Sequence, residues 1–234
     1  MNDFRDKVVV VTGSTKGIGR RIAEKFLEAG AKIAISGRSY NEEILKEFNC
    51  GDSDKVFGKA VDVRNVSEIN SFLRDVINKF GRIDILINNS GIYKAEPHIE
   101  VTEQTWDNHM DTNVKSYFFA SQYFAKHILE RGGEGVIVNI ASINSQSVEK
   151  NSAAYCISKA AVAMLTKSLA LDWGKINIRV NAVGPGSIPT DINAKFYEDP
   201  GREKALKERL PLSRRGTKDE IANAVLFLAS EEAS

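Results

Sequence analysis

The sequence predicts an α/β fold built on one doubly wound parallel sheet with helices on both faces. Three observations carry this. Short runs rich in β-branched residues recur along the chain, and several are almost continuously apolar, as strands covered on both faces must be. Stretches with helical spacing lie between them, so each strand leads into a crossover, and such crossovers are right-handed and make the sheet parallel. A glycine-rich turn, Thr12–Gly19, reading TGSTKGIG, stands directly behind the first run and opens the first helical stretch.

In chain order, the valine run Val8–Val11 is the first strand and Ile18–Ala29 the first helix. Lys32–Ser36, Val56–Val63 and Ile83–Asn88 are the next strands, alternating with the helical patterns Tyr40–Phe48 and Ser67–Phe80. A long pattern, Thr102–Glu130, reads as one helix before the strand Val136–Ala141. The helix Ala153–Trp173 and the strand Ile178–Val183 follow. Thr217 and Glu220 have the T-x-x-E spacing of a capping box and open a last helix, Ile221–Ala229. No linker rich in Pro, Gly or Ser divides the chain and no repeat is visible, so residues 1–234 read as a single domain.

Bulk properties narrow the function. The chain is 42% hydrophobic and 27% charged, ordinary for a globular protein. Its formal net charge of +1 supplies no basic field for nucleic acid or an anionic membrane. No segment is expected to span a bilayer, and the start, MNDFRDK, is no signal peptide. Cys50 and Cys156 have no framework spacing, which fits a reduced, cytoplasmic setting. His98, His109 and His127 lack ligand-like spacing, so no metal site is expected.

The turn between the first strand and helix is suited to phosphate, because a helix N-terminus offers unpaired N–H groups and a partial positive charge. Gly13 permits the tight turn, Gly17 lets a pyrophosphate approach the backbone, and Gly19 lets the helix pack closely. In a sheet ordered 3-2-1-4-5-6, the first and fourth strands flank the crevice where dinucleotides bind. Asn88–Gly91, NNSG, follows the fourth strand and opens onto the same crevice, with Asp62 and Val63 at the end of the third strand, within reach of an adenine.

Farther on, Tyr155 and Lys159 lie four apart on one helix face, and Ser142 closes the fifth strand. A phenol with pKa of about 10 is a poor base at neutral pH, and a neighbouring ammonium favours its phenolate, so the pair suits proton transfer at a carbinol oxygen. Cys156 points about 100° away around the helix, which makes packing its expected role.

These motifs, in this order, resemble the short-chain dehydrogenase/reductase family in its single-domain branch: TGxxxGIG at Thr12–Gly19, NNxG at Asn88–Gly91, the set Asn113, Ser142, Tyr155 and Lys159, and PGSIPT at Pro185–Thr190. The resemblance implies a Rossmann-type oxidoreductase that moves a hydride between a nicotinamide and a secondary alcohol or carbonyl. Tyr155 would be the general acid/base, and Lys159 would lower its pKa and bind the nicotinamide ribose. Ser142 would hydrogen-bond the substrate oxygen, and Asn113 would hold a relay water. The turn from Gly13 through Ser14, Thr15, Lys16, Gly17 and Ile18 to Gly19 would take the phosphates. Asn89 and Gly91 would border the cofactor. At the far end, Pro185, Gly186, the Ile188 backbone and Thr190 would meet the carboxamide. Ser90 stands where the family usually has alanine, and the family's seventh strand and tail are absent, which would leave the sixth strand as an edge.

The second strand ends in AISGRS, without the acidic residue that grips the ribose of NAD. Arg38 offers a planar fork for a 2′-phosphate, beside the uncharged Ser39, and Lys16 a second charge, so NADP(H) is expected over NAD(H). Residues 187–216 are expected to form a lid. The wording of the lid is similar to glucose 1-dehydrogenases, pointing to a sugar or polyol. The competing substrate is 3-oxoacyl-acyl-carrier-protein, whose acidic carrier could dock on Lys204, Lys207, Arg209, Arg214, Arg215 and Lys218. A non-enzymatic NADP(H) sensor is the alternative of another class; it would not need to keep Tyr155 and Lys159. The helices 112–130 and 153–173 are apolar on more than one face, which predicts a homodimer, within a homotetramer as in the family.

Overall fold

Four consecutive valines make up β1 (Val8–Val11), and every one is buried. Val8 and Val10 enter one core while Val9 and Val11 enter the other, the alternation of a strand covered on both sides. The structure, a computed structural model, describes residues 3–48, 54–191 and 200–234, the side chains of Pro200 and Arg202 excepted. Cys50 and residues 192–199 of the expected lid lie outside them.

β1 pairs in parallel with β2 (Lys32–Gly37) and β4 (Ile85–Asn88), with Val9 opposite both Ile33 and Ile85. β3 (Val56–Ala60), β5 (Gly135–Ile140) and β6 (Ile178–Val183) complete a six-stranded sheet in the order β3-β2-β1-β4-β5-β6, as expected. One face packs on α1 (Gly17–Glu28), α2 (Glu42–Glu47) and α8 (Lys218–Ala229), through Ile22, Phe26, Ile44 and Val225. The other packs on α3 (Val66–Phe80), α5 (Ser116–Arg131) and α6 (Ala153–Trp173), through Phe72, Leu73, Phe124 and Leu169. Apart from the partly buried Ile44, each of these side chains is buried and contributes roughly 1.5–3 kcal/mol by area. The capping box forms as expected: Thr217 Oγ1 accepts from Glu220 N–H, and Glu220 accepts from Thr217 N–H.

Several elements depart from the sequence reading. The stretch Thr102–Glu130 is not one α-helix. α4 (Glu103–Met110) runs into a π-turn at Asp111–Lys115, from which α5 starts. The Ser116 hydroxyl bonds back to the Thr112 carbonyl at 2.6 Å inside this wide turn, and the extra residue carries Asn113 into the interior. α2 starts at Glu42 rather than Tyr40 because Asn41 is its N-cap, accepting from Ile44 N–H. β3 stops at Ala60, the partner of the last residue of β2, Gly37. A helix absent from the sequence reading, α7 (Pro200–Arg209), occupies part of the expected lid. One helical stretch, Ala153–Ile176, is long and apolar enough by composition to cross a membrane, which corrects the expectation that no segment is. In this fold α6 lays one face on the sheet and buries Lys159 there.

Candidate active site

The order in which strands are added reverses between the parallel β1 and β4, since β2 and β3 lie on one side and β5 and β6 on the other. The two turns that leave these strands are locked together. Thr12 Oγ1 accepts from the N–H groups of Asn89 and Ser90, and Asn89 Nδ2 donates to the carbonyls of Thr12 and Gly13, each at 2.9 Å. Gly13 sits at φ +63° with no room for a Cβ, which would lie 2.8 Å from Ser90 Cα. A Cβ on Gly19 would lie 2.6 Å from the Gly13 carbonyl, so this glycine lets α1 approach the paired turns rather than the strand. Gly17, at φ +66°, is less crowded: a Cβ there would meet only Thr190 Cγ2, at 4.0 Å.

A cleft of about 710 Å³ runs across these turns. Its wall includes Gly13, Thr15, Lys16, Gly17, Ile18, Gly19, Arg38, Ser39, Val63, Asn89, Gly91, Ser142, Tyr155, Lys159, Pro185, Gly186, Ile188 and Thr190, all singled out from sequence. Three of the singled-out residues stand outside it. Ser14 is fully buried and ties β1 to β2: its hydroxyl donates to the Val11 carbonyl and accepts from Ser36 N–H. Asp62 is held by Arg64 at 2.5 Å, which keeps its carboxyl below the usual carboxylate range. Asn113 is buried and spends its amide on protein: Oδ1 accepts from Ile92 N–H at 2.9 Å, and Nδ2 donates to the Ile92 carbonyl and to Ser158 Oγ. Its side chain thus fixes the loop after β4. Conversely, Gly37, Val61, Ser90, Ile92, Tyr93 and Asp191 also line the cleft. The glycine before Arg38 and the residues just after the NNxG motif were the available signals for Gly37, Ile92 and Tyr93.

The residues present fit a nicotinamide dinucleotide. No side chain caps the start of α1 at Lys16 and no acid stands in its first turn, so its positive end faces the cleft. Gly17 leaves open the space a phosphate needs, and Arg38 and Ser39 stand exposed at one end with the Pro185–Thr190 segment at the other. Lys16 is paired with Asp191 at 3.1 Å, from the glycine turn to the root of the lid.

At the cleft floor, Lys159 is 4% exposed and donates to the Ile140 carbonyl at 2.8 Å. Its Nζ lies 5.9 Å from the Tyr155 ring centre. Tyr93 meets the Tyr155 ring edge-on, 5.1 Å between centres, and its hydroxyl is 3.1 Å from Ser152 Oγ at the start of α6. Burial lowers the Lys159 ammonium to about 8. Burial also pushes the Tyr155 phenol above its usual value, against the hydrogen bond to Ser142, which pulls it down. The net shift of Tyr155 in the free chain is therefore upward, with burial its largest cause. Burial penalises both charged forms, and the amine is turned to a backbone carbonyl.

The arrangement can bind phosphate, orient a ring and move a proton at an oxygen. The family model described as enoyl-(acyl carrier protein) reductase matches residues 13–234. The chain is 37% identical to a D-threitol dehydrogenase of Mycolicibacterium smegmatis, over 99% of this chain and 90% of the relative. It is 33% identical to glucose 1-dehydrogenase 2 of Bacillus subtilis, over 99% and 91%. A crystal structure of a gluconate 5-dehydrogenase from Burkholderia cenocepacia, in complex with NADP and tartrate, superposes with a TM-score of 0.91 at 32% identity, covering 99% of this chain and 91% of that one. With its sheet order, its paired glycine turns and its Ser142, Tyr155 and Lys159 on one cleft floor, this chain belongs to the short-chain dehydrogenase/reductase family of oxidoreductases, which act on alcohols and carbonyls.

Proposed function

We propose that the chain is an NADP(H)-dependent oxidoreductase of secondary alcohols and their ketones, with a sugar or polyol as substrate and Tyr155 as general acid/base. The observation that carries this is the convergence of Ser142, Tyr155 and Lys159 on the floor of a cleft whose other end offers Arg38 and the uncapped start of α1. The nicotinamide, when bound, supplies or accepts the hydride. Ser142 donates a hydrogen bond to the substrate oxygen, and Tyr155 gives that oxygen a proton in reduction or takes one in oxidation. Lys159, seated by the Ile140 carbonyl, holds positive charge behind the phenol and makes its ionisation easier. Tyr93 and Asn113 hold the loop after β4 and the start of α6 in register around that proton.

Arg38 carries the preference for NADP(H), with no acid at the end of β2 to favour NAD(H). Lys16 joins it only after leaving Asp191; both partners are exposed, and such a pair contributes ~0–1 kcal/mol, less than a phosphate offers. The relatives named for threitol and glucose support the polyol class. The acyl-carrier reading loses support because half of its basic patch is compensated: Lys207 and Arg215 pair with Glu203, and Arg214 with Glu220. The sensor reading has no use for the reactive set. The deciding assay follows absorbance of the reduced nicotinamide with a panel of polyols, sugars, ketones and 3-oxoacyl thioesters. Turnover of the polyols or sugars is expected, and turnover of thioesters alone overturns the substrate class.

A further inference from the structure

The turn that presents Arg38 is clamped from two sides, at Gly37 on the cleft wall and at Tyr40 and Gly58, which do not line the cleft. At its start, Gly37 lies against Thr15 of the glycine turn, where a Cβ would be 2.8 Å from both Cγ2 and Oγ1. The Gly37 carbonyl accepts from the N–H groups of Tyr40 and Val61, which closes the turn onto the end of β3. At its far end, the Tyr40 ring lies over Gly58 of β3. A Cβ on Gly58 would stand 2.7 Å from Cζ and 2.8 Å from Oη of that ring, closer than real Cβ contacts allow. Gly58 is held opposite Ile35 by the β2–β3 ladder, so the strand cannot yield and the ring must. Tyr40 also packs against the apolar layer between the sheet and α1, beside Ile44 and Leu45.

We propose that Tyr40 and Gly58 form a seat that positions Arg38, and that they are specificity-determining positioning residues for the 2′-phosphate although neither touches it. An exposed arginine on a loose turn would have to be ordered by the cofactor, and ordering a turn and a long side chain costs affinity. The seat orders the backbone two residues away before the cofactor arrives. The inference rests on the NADP(H) reading above, and its test separates the two.

The test is calorimetric titration of NADP+ and NAD+ into the wild type and into Arg38→Ala, Gly58→Ala, Tyr40→Ala and Tyr40→Phe. Gly58→Ala displaces the ring and Tyr40→Ala removes it, so either one carries the test if the other fails to fold. Each is expected to weaken NADP+ by roughly 5- to 20-fold, part of the 10- to 150-fold range of a charge-assisted contact, and to leave NAD+ within about two-fold. Tyr40→Phe keeps the ring and the wild-type ratio. In the Arg38→Ala background Gly58→Ala causes no further change in the ratio, as expected of residues that act through one contact. Equal weakening of both cofactors, or an undiminished effect without Arg38, marks the seat as merely structural and overturns the proposal. A ratio lowered by Arg38→Ala but untouched by Gly58→Ala and Tyr40→Ala overturns the seat alone. A ratio unmoved by Arg38→Ala overturns the NADP(H) reading and the seat with it.

Discussion

At the scale of the residue, the reactive set is a balance between burial and hydrogen bonding. Tyr155→Phe keeps the ring against Tyr93 and removes the ionisable oxygen, so turnover should fall by at least ~10²-fold while cofactor affinity holds. Steady-state kinetics beside a binding titration checks this, and near-normal turnover rules Tyr155 out as the acid/base. Lys159 gives a pH signature. Its ammonium ionises at about 8 in the folded chain against an ordinary 10.5. It is charged below that point and neutral above it, so NADP+ affinity should decline as pH rises through about 8, by up to ~10-fold per unit where this one proton governs. The folded chain holds fewer protons than the unfolded chain between about 8 and 10.5, so this group makes stability rise with pH across the same window. Lys159→Met should bind more weakly at every pH and lose the slope, and a persistent slope would place the titration elsewhere. These residues were legible from the Tyr-x-x-x-Lys spacing and the strand-end serine. The upward shift of Tyr155 was not, because burial depends on side chains distant in sequence.

At the scale of the element, the paired turns after β1 and β4 act as one part. Asn89 spends its amide on the carbonyls of Thr12 and Gly13, and Gly19 lies close against that junction. Gly19→Ala would force a methyl to within 2.6 Å of the Gly13 carbonyl, a backbone atom held by the Asn89 amide. Overpacking of this kind costs ~1–3 kcal/mol, and the start of α1 should move with it, so both the melting temperature and the affinity for NADP+ are expected to drop. A variant with unchanged affinity would show that the start of α1 is not where the phosphates sit. The π-turn at Asp111–Lys115 shows why one long helix was expected and two were found. Apolar spacing continues through it, and only the bonds of Asn113 to Ile92 and Ser158, 21 and 45 residues away, reveal that the wider turn is needed.

At the scale of the whole molecule, the sheet leaves apolar side chains uncovered on the helical layer of α5 and α6. Leu129 is 60% exposed, Met164 64% and Leu171 80%, with Phe118 more exposed than a core residue should be. A helix apolar beyond its core face calls for a second cover, and a second copy across a two-fold axis supplies one. A homodimer or a larger assembly containing it is therefore expected in sedimentation at micromolar concentration. Met164→Glu with Leu171→Glu should dissociate it without unfolding the chain, since neither side chain enters the core. A wild type that sediments as a monomer sinks this assembly.

The sequence by itself determined the layer order and the place of the cleft. Valine and isoleucine runs alternating with helical spacing leave a parallel sheet as their consistent arrangement, and glycines at fixed offsets from a strand end mark where the backbone must turn tightly. Tertiary structure decided what each polar group does with its hydrogen bonds. Ser14 and Asn113 look like cofactor or relay residues in the sequence, yet the fold spends their side chains on β2 and on the loop after β4. Gly58 looks like an ordinary strand residue, yet it is the open space in which Tyr40 lies. The physical reason is common to all three. Periodicity records which way a side chain points, while its partner is set by atoms that approach through space, across strands and turns tens of residues apart.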